Sequence, residues 1–179
     1  MKYLFYSSCS FFKIGMAVLS DEAERLYREG NEVYFLYCDE IINICAGNPC
    51  GNLGLCKTCR LWTKLDFSKL SKGIVFLSMN SYKVENKMPK WEYNNVTELK
   101  EVTYKKTHIG LSSLSSYINH TRNLNPLIDD ESKIYFDNSL NQGAILVDTI
   151  ERVVKSIRPD VFVYIMEDWW KHAVFSIMY

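Results

Sequence analysis

The chain has 179 residues, of which 47% are hydrophobic and 23% charged, a composition typical of a soluble globular protein with a sizeable core. Lysine plus arginine and aspartate plus glutamate both total 21, so the formal net charge is zero. This balance argues against a nucleic-acid-binding protein, which needs a basic surface against the phosphates. No apolar stretch approaches the roughly 20 residues that cross a bilayer, and the short apolar N-terminus lacks a signal-peptide pattern. We therefore expect a cytoplasmic protein.

The first 38 residues predict a strand–helix–strand unit. Residues 2–7 are short, aromatic and aliphatic, which is typical of a buried strand. Apolar residues then recur every three or four positions over residues 14–29, and this pattern predicts an amphipathic helix that Gly30 ends. Residues 32–38 favour a second strand. Because the strands of such a unit run parallel, we expect an α/β fold: a Rossmann-like three-layer domain with a mainly parallel sheet.

The rest of the chain predicts further elements of a single domain over residues 1–179. In order they are a cysteine-rich insertion over about 39–72, a strand at 73–78, a polar loop over about 79–98, a short strand at 99–104, a helix at 112–121, a long helix from Asp129, and a strand at 161–166. The apolar tail at 173–179 either packs on this domain or continues into further chain, and we favour continuation.

Four cysteines lie within fifteen residues after the second predicted strand: Cys45, Cys50, Cys56 and Cys59. Since disulfides are rare in a reducing compartment, these residues are candidate ligands of a metal, with zinc as the expected ion. Free thiols and disulfides stay open as alternatives. An iron–sulfur cluster has no support from the spacing.

Several segments spread over nearly the whole chain share a resemblance. They are Tyr3-Leu-Phe-Tyr-Ser-Ser-Cys9, Arg28-Glu-Gly-Asn-Glu-Val33, Cys38-Asp39, Ile44-Cys45, Asn48-Pro49, Cys56-Lys-Thr-Cys59, Thr107-His-Ile-Gly-Leu-Ser-Ser-Leu-Ser-Ser-Tyr117 and Ile157-Arg-Pro-Asp-Val161. Together they resemble bacterial glycosyltransferases of surface and capsular polysaccharide synthesis, in a subgroup with a cysteine loop. The cysteine pattern is the most distinctive part.

The resemblance implies a GT-B architecture, in which two Rossmann-like domains face a cleft. The N-terminal domain of such enzymes binds the acceptor, often a lipid-linked sugar, and the C-terminal domain binds the nucleotide-sugar donor. By this comparison the chain corresponds to the acceptor half alone, so complete transferase activity is not expected from it. The implied partners are a glycan or lipid-linked acceptor, a separate donor-binding domain and peripheral contact with the inner membrane. A different class of function stays open: a non-catalytic, metal-stabilised α/β binding or scaffold module.

A sugar transfer needs a general base near the acceptor hydroxyl. Glu167, Asp168 and His108 are the candidates, although the two carboxylates equally suit a helix cap and the histidine a surface loop. The segment that contains Glu167 and Asp168 also departs from the small turn expected by resemblance.

Substrate contacts are expected where parallel strands end, because ligands of open α/β sheets bind beyond the carboxyl ends of the strands. The candidates there are Ser8, Lys13, Gly15 and Asp39, with Lys13 and Gly15 placed to meet a phosphate at a helix N-terminus. The basic, amphipathic stretch at 57–72 fits either contact with an anionic membrane or a solvated helix face.

Overall fold

The computed structural model describes residues 1–7, 9–45, 47–84 and 88–164. Within them the chain separates into two compact units. The sheet unit contains the described residues of 1–83 and 152–164, and the helical unit contains those of 84–151. That both belong to a single domain stays a prediction.

The sheet unit alternates strands and helices in the way the sequence predicts. Its elements are β1 (Lys2–Ser7), α1 (Lys13–Arg28), β2 (Glu32–Tyr37), α2 (Leu53–Phe67), β3 (Val75–Ser78) with a 3₁₀ turn at Met79–Tyr82, and β4 (Val161–Tyr164). The strands stand in the order β3-β2-β1-β4, and every pairing is parallel. The prediction of a Rossmann-like α/β fold with a parallel sheet is therefore confirmed.

One face of the sheet carries a continuous apolar core. Phe5, Val33 and Phe35 alternate along β1 and β2, so their side chains point to the same face and meet α1 and α2. The ring of Phe67, near the end of α2, lies 4.8 Å from that of Phe35 and 4.1 Å from that of Phe76. Because crossover helices run against their strands, this aromatic cluster fixes one end of α2 and leaves its N-terminal half at the carboxyl edge of the sheet.

The predicted cysteine-rich insertion over 39–72 is not confirmed as a single irregular segment. Residues 53–67 form α2, the crossover helix between β2 and β3. The side chain of Asn52 starts this helix by accepting a hydrogen bond from the Gly54 N–H at 2.8 Å. Cys56 and Cys59 therefore lie on a regular helix, where three-residue spacing places both on one face.

The helical unit contains α3 (Val96–Glu101), α4 (Ile109–Thr121) and the first part of α5 (Asp130–Ile157). A core cluster forms among Leu99, Ile109, Leu114, Phe136, Leu140 and neighbouring residues. The predicted strand at 99–104 is wrong, because the chain is helical over 96–101. Asn95 accepts from the Glu98 N–H at 2.9 Å, and Glu98 in turn accepts from the backbone of Asn94, so this start signal outweighs the sheet-favouring residues that follow.

The long helix predicted from Asp129 is confirmed as α5. Phe136, Leu140 and Ala144 from its predicted apolar stripe are fully buried. Asp129 caps the helix by accepting from the Ser132 N–H at 2.8 Å, and the bonds from Ser132 lower the pKa of the Asp129 carboxyl.

None of the helices in the described ranges combines the length and the apolarity needed to span a bilayer.

Candidate functional site

A small cavity lies where β1 and β2 end, at the carboxyl edge of the sheet. It encloses about 20 Å³, which is room for one water-sized occupant. Its wall contains five of the six cysteines: Cys9, Cys38, Cys45, Cys56 and Cys59. A space of this size suits an ion or a water molecule and is too small to enclose a sugar.

The five cysteines reach the cavity from three parts of the chain. Cys9 follows β1 by two residues and Cys38 follows β2 directly. Cys45 belongs to the irregular segment after β2, while Cys56 and Cys59 lie on α2. Cys9 and Cys56 are only 3% and 7% exposed. The convergence therefore depends on the parallel sheet, which brings both strand ends to the N-terminal half of α2.

Three of these thiols interact directly. Hydrogen bonding to Cys45 and then to Cys59, together with burial, raises the pKa of the Cys9 thiol far above its usual range. The same contact with Cys9 lowers the pKa of Cys59, although burial opposes the shift. Cys9 is therefore the protonated thiol of the three, and it lies within hydrogen-bonding reach of both Cys45 and Cys59.

Backbone N–H groups of the β1–α1 connection also point at these sulfurs. The Ser10 N–H donates to Cys59 Sγ at 3.3 Å, and the Phe11 N–H donates to Cys9 Sγ at 3.4 Å. Such donors stabilise negative charge on sulfur more than they stabilise a neutral thiol. The connection between β1 and α1 is thus shaped to hold sulfur acceptors.

Asn48 provides the donor for the sulfur of Cys56. Its two amide hydrogens are shared among three acceptors, Cys56 Sγ at 3.1 Å and the carbonyl oxygens of Asn43 and Asn52, each at 2.9 Å. Its amide oxygen accepts from the Asn52 N–H at 2.8 Å. Asn48 is 1% exposed, so it fixes the irregular segment against the start of α2 from inside.

Cys38 is held differently from the other four. Its sulfur accepts from the Ile42 N–H at 3.3 Å, and its thiol donates to the Ile42 carbonyl at 3.6 Å. Burial raises the pKa of Cys38 to about 12. Cys38 is therefore a neutral thiol whose hydrogen bonds are satisfied within its own turn.

A buried pair of hydroxyl groups joins the β1–α1 connection to α2. Ser10 and Thr63 are 2% and 6% exposed, and their side-chain oxygens are hydrogen-bonded to each other. Thr63 Oγ1 donates its one hydrogen to the Cys59 carbonyl at 2.9 Å. Ser10 must therefore be the donor in the bond between the two hydroxyls.

Gly47 lies against Cys9 and Phe11, where no side chain fits. A Cβ added at this position would overlap Cys9 Sγ and come within 2.9 Å of Phe11 Cδ2. The backbone of the irregular segment therefore lies directly against Cys9.

Charged groups form the outer rim of the cavity. Arg60, on α2, places Nε 2.9 Å from Asp39 Oδ1 and Nη1 3.0 Å from Glu40 Oε1. Asp39 also accepts from the Ser78 hydroxyl. Asp39 and Glu40 have φ values of 49° and 68°, a left-handed conformation that costs non-glycine residues energy.

The cysteines that line the cavity are not already arranged as a metal-coordination site. In the part of the chain that the structure describes, no three Cys, His, Asp or Glu side chains are already arranged to hold a metal ion. Of the predicted ligands, Cys45, Cys56 and Cys59 line the cavity, whereas Cys50 is exposed and does not. All six cysteines lie in the described part of the chain, and none of them forms a disulfide.

The predicted substrate contacts are placed as follows. Asp39 lies on the rim, in the ion pair with Arg60. Lys13, the first residue of α1, pairs with Asp66 at 2.8 Å and lies 4.8 Å above the ring of Trp62. Gly15 is buried in the first turn of α1. Ser8 lies outside the described residues.

Of the predicted catalytic residues, His108 lies in the described part of the chain and is not a lining residue of the cavity. His108 precedes α4 in the helical unit, is exposed, and makes no side-chain capping bond. Glu167 and Asp168 lie outside the described residues. Their catalytic roles stay predictions.

Sequence reasoning missed Asn48 and Thr63, and it interpreted Cys9, which follows the first strand, as an incidental buried thiol and not as a member of the cysteine cluster. A signal for Cys9 was available, because it follows β1 just as Cys38 follows β2, and parallel strands end at the same edge of a sheet. Asn48 and Thr63 carry no such signal, since their roles depend on how the irregular segment and α2 pack.

Comparison with known protein families found no family model that matches the chain, and comparison with curated proteins found no matching sequence.

Proposed function

We propose that this chain is the acceptor-binding half of a glycosyltransferase of bacterial surface-polysaccharide synthesis, with its donor site in a separate domain. The observation that carries the proposal is the charged rim at the carboxyl edge of a parallel, Rossmann-like sheet, the edge at which such folds bind ligands. The resemblance of the segments after β1 and β2 to these enzymes supports the same reading. The protein works in the cytoplasm, against the inner membrane.

Arg60 is the rim group best suited to an anionic acceptor. Its side chain is 43% exposed although it pairs with Asp39 and Glu40, so a ligand can reach the guanidinium from solvent. A lipid-linked sugar carries phosphate groups between lipid and sugar, and guanidinium recognises phosphate through paired hydrogen bonds. Arg60 therefore binds the phosphate and Asp39 accepts from a sugar hydroxyl.

The outer surface of α2 suits the lipid part of such an acceptor. Leu61 and Leu65 lie one turn apart and are 62% and 60% exposed. Lys57 and Lys64 are exposed on the same helix. Apolar side chains with lysines beside them are favourable against an anionic bilayer, where lipid-linked acceptors are located.

A second candidate is a non-catalytic, metal-stabilised module. The observation that favours it is the cysteine-lined cavity, whose 20 Å³ fits an ion and not a sugar. Binding of a lipid-linked sugar distinguishes the two candidate functions, because only the acceptor-binding half binds one.

Acceptor binding can be measured on this chain with a short-chain polyprenyl-diphosphate monosaccharide in detergent micelles. We expect Arg60→Met to weaken binding about tenfold, as the loss of one charge-assisted hydrogen-bonding group does. Arg28→Met is the matched control: Arg28 pairs with Glu24 at 2.9 Å but lies at the far end of α1, away from the carboxyl edge. It should leave binding unchanged.

Two results would refute the proposal. One is the absence of binding by the unmodified chain at millimolar probe. The other is sugar transfer or nucleotide-sugar hydrolysis by this chain alone, since the proposal places the donor site in another domain.

A further inference from the structure

We propose that Cys9, Cys45, Cys56 and Cys59 bind a single zinc ion in the cavity at the carboxyl edge of the sheet. This ligand set differs from the one that sequence spacing predicts, because Cys9 replaces the exposed Cys50. Metal content is measured without any sugar ligand, so this inference and acceptor binding can fail independently.

The first argument is convergence around a space of the right size. The four sulfurs border a cavity of about 20 Å³, which one ion fills. Tetrahedral zinc holds sulfur at about 2.3 Å, which puts neighbouring sulfurs about 3.8 Å apart. That is the separation of hydrogen-bonded thiols, and Cys9 already makes such contacts with Cys45 and Cys59. The side chains must still rotate to complete a coordination shell, because no three of them already form one in the described residues.

The second argument is the presence of donors that sulfur ligands require. Cys9, Cys56 and Cys59 accept N–H hydrogen bonds from Phe11, Asn48 and Ser10 respectively. Groups of this kind orient metal ligands and stabilise the thiolate form. Neutral buried thiols have no need of three separate N–H donors.

The third argument is charge. Thiolates formed in this buried place on metal binding would need a cation beside them, and Arg60, the cationic side chain in the described cavity wall, already pairs with Asp39 and Glu40. A divalent ion supplies that positive charge itself as it binds, and the thiol protons leave to solvent. Thiolate ligands select zinc over the hard cations magnesium and calcium.

Cys38 is excluded from the ligand set although it lines the cavity. Its thiol hydrogen is donated to the Ile42 carbonyl and its sulfur accepts from the Ile42 N–H. Coordination would break both bonds. Four ligands remain without it, which is the number a structural zinc site requires.

Elemental analysis of protein purified without chelator tests the inference. We expect about one equivalent of zinc, and under about 0.2 equivalents would overturn the proposal. Cys9→Ser should reduce the bound zinc at least tenfold at limiting free zinc. Cys50→Ser and Cys38→Ala should retain it, and Cys50→Ser is the matched control because the same chemical change is made outside the cavity.

Cobalt substitution covers the case in which a ligand variant fails to fold. The wild-type protein and Cys50→Ser should both give the intense visible bands of tetrahedral cobalt bound to four sulfurs, with equal intensity. Loss of these bands in Cys50→Ser would overturn the ligand set in favour of the one that sequence spacing predicts. Disulfides found by mass, or iron with acid-labile sulfide in place of zinc, would overturn the mononuclear zinc site.

Discussion

The buried hydroxyl pair of Ser10 and Thr63 gives the sharpest prediction about how the candidate site is assembled. Replacing Thr63 with the isosteric valine removes the acceptor of the Ser10 hydroxyl but keeps the volume of the side chain. The Ser10 hydroxyl, 2% exposed, then has lost its partner and cannot reach water. A buried hydroxyl without a hydrogen-bond partner costs about 1–3 kcal/mol of folding free energy. We therefore expect Thr63→Val to lower the free energy of unfolding by about 2 kcal/mol.

A double-mutant cycle separates this bond from other effects of the substitution. Ser10→Ala removes the donor, and the remaining Thr63 hydroxyl still donates to the Cys59 carbonyl at 2.9 Å. We therefore expect Ser10→Ala to cost about 1 kcal/mol, and the double variant to cost about 1 kcal/mol less than the sum of the two single variants.

Urea unfolding followed by circular dichroism measures each free energy. In thermal unfolding, a loss of 2 kcal/mol corresponds to a Tm about 4–8 °C lower for a chain of this size. The matched control is Thr58→Val, because Thr58 also lies on α2 and donates to the carbonyl four residues earlier, at 3.0 Å, in a solvent-exposed position. It should change the stability by less than about 0.5 kcal/mol.

The reasoning is refuted if Thr63→Val costs no more than Thr58→Val. A coupling energy below about 0.3 kcal/mol would also refute it, because two buried hydroxyls joined by a hydrogen bond cannot contribute independently.

Three further predictions concern the helical unit. Gly110→Ala should cost at least about 3 kcal/mol in urea unfolding, because the added Cβ would overlap the Leu99 carbonyl oxygen, which belongs to the backbone and cannot rotate away. Lys106→Gly should raise stability by about 0.5–1 kcal/mol in the same assay, since Lys106 is exposed and has a φ of 68°. Lys105→Met should lower the free energy of unfolding by about 2 kcal/mol at pH 8, because it removes the ammonium group that lies 2.6 Å from Asp148, which is only 2% exposed. This value is smaller than for a fully buried ion pair because Lys105 is half-exposed.

The destabilisation by Lys105→Met depends on pH. Hydrogen bonds to Asp148 and Glu151 raise the pKa of Lys105 in the folded protein. The pair's contribution is therefore complete below the unfolded pKa of about 10.4 and decreases as pH rises above it. The difference between Lys105→Met and the wild type should shrink from pH 8 to pH 11, and a difference that grows would contradict the assignment.

Exposed positions provide matched controls for the three substitutions. Gly54→Ala, at the exposed start of α2, meets only the Asn52 side chain at 3.1 Å and should change stability by less than about 1 kcal/mol. Lys100→Gly, within α3, should destabilise by about 1 kcal/mol, opposite in sign to Lys106→Gly. Lys90→Met, at an exposed lysine, should have no measurable effect.

The β-α-β start of the fold could be predicted from sequence because its signals are local. β1 has the predicted bounds and α1 differs by one residue at each end, since apolar periodicity and Gly30 act over a few positions. The Gly30 φ of 87° shows why glycine is needed at that stop. The error at 99–104 arose from sheet-favouring residues that follow a stronger helix start at Asn95.

The candidate site could be predicted only in part. Three of the four cysteines chosen by spacing, Cys45, Cys56 and Cys59, do meet in one cavity. Spacing could not separate Cys9 from Cys50, because a buried and an exposed cysteine have the same chemistry in a sequence. Only the packing of the β1–α1 connection against α2 places Cys9 inside the cavity.

The strand order β3-β2-β1-β4 has a consequence for how this protein is made. β1 emerges first from the ribosome and can pair with β2 soon afterwards. Its other edge stays unpaired until β4 is synthesised, beginning with Val161, which pairs with Tyr3. At 5–20 residues per second, the roughly 120 residues between Tyr37 and Val161 need about 6–25 s to be synthesised. For that time the central strand of the sheet offers open hydrogen-bonding groups to any other nascent chain. Slowing translation of this interval should therefore increase aggregation more than slowing translation of the first 37 residues.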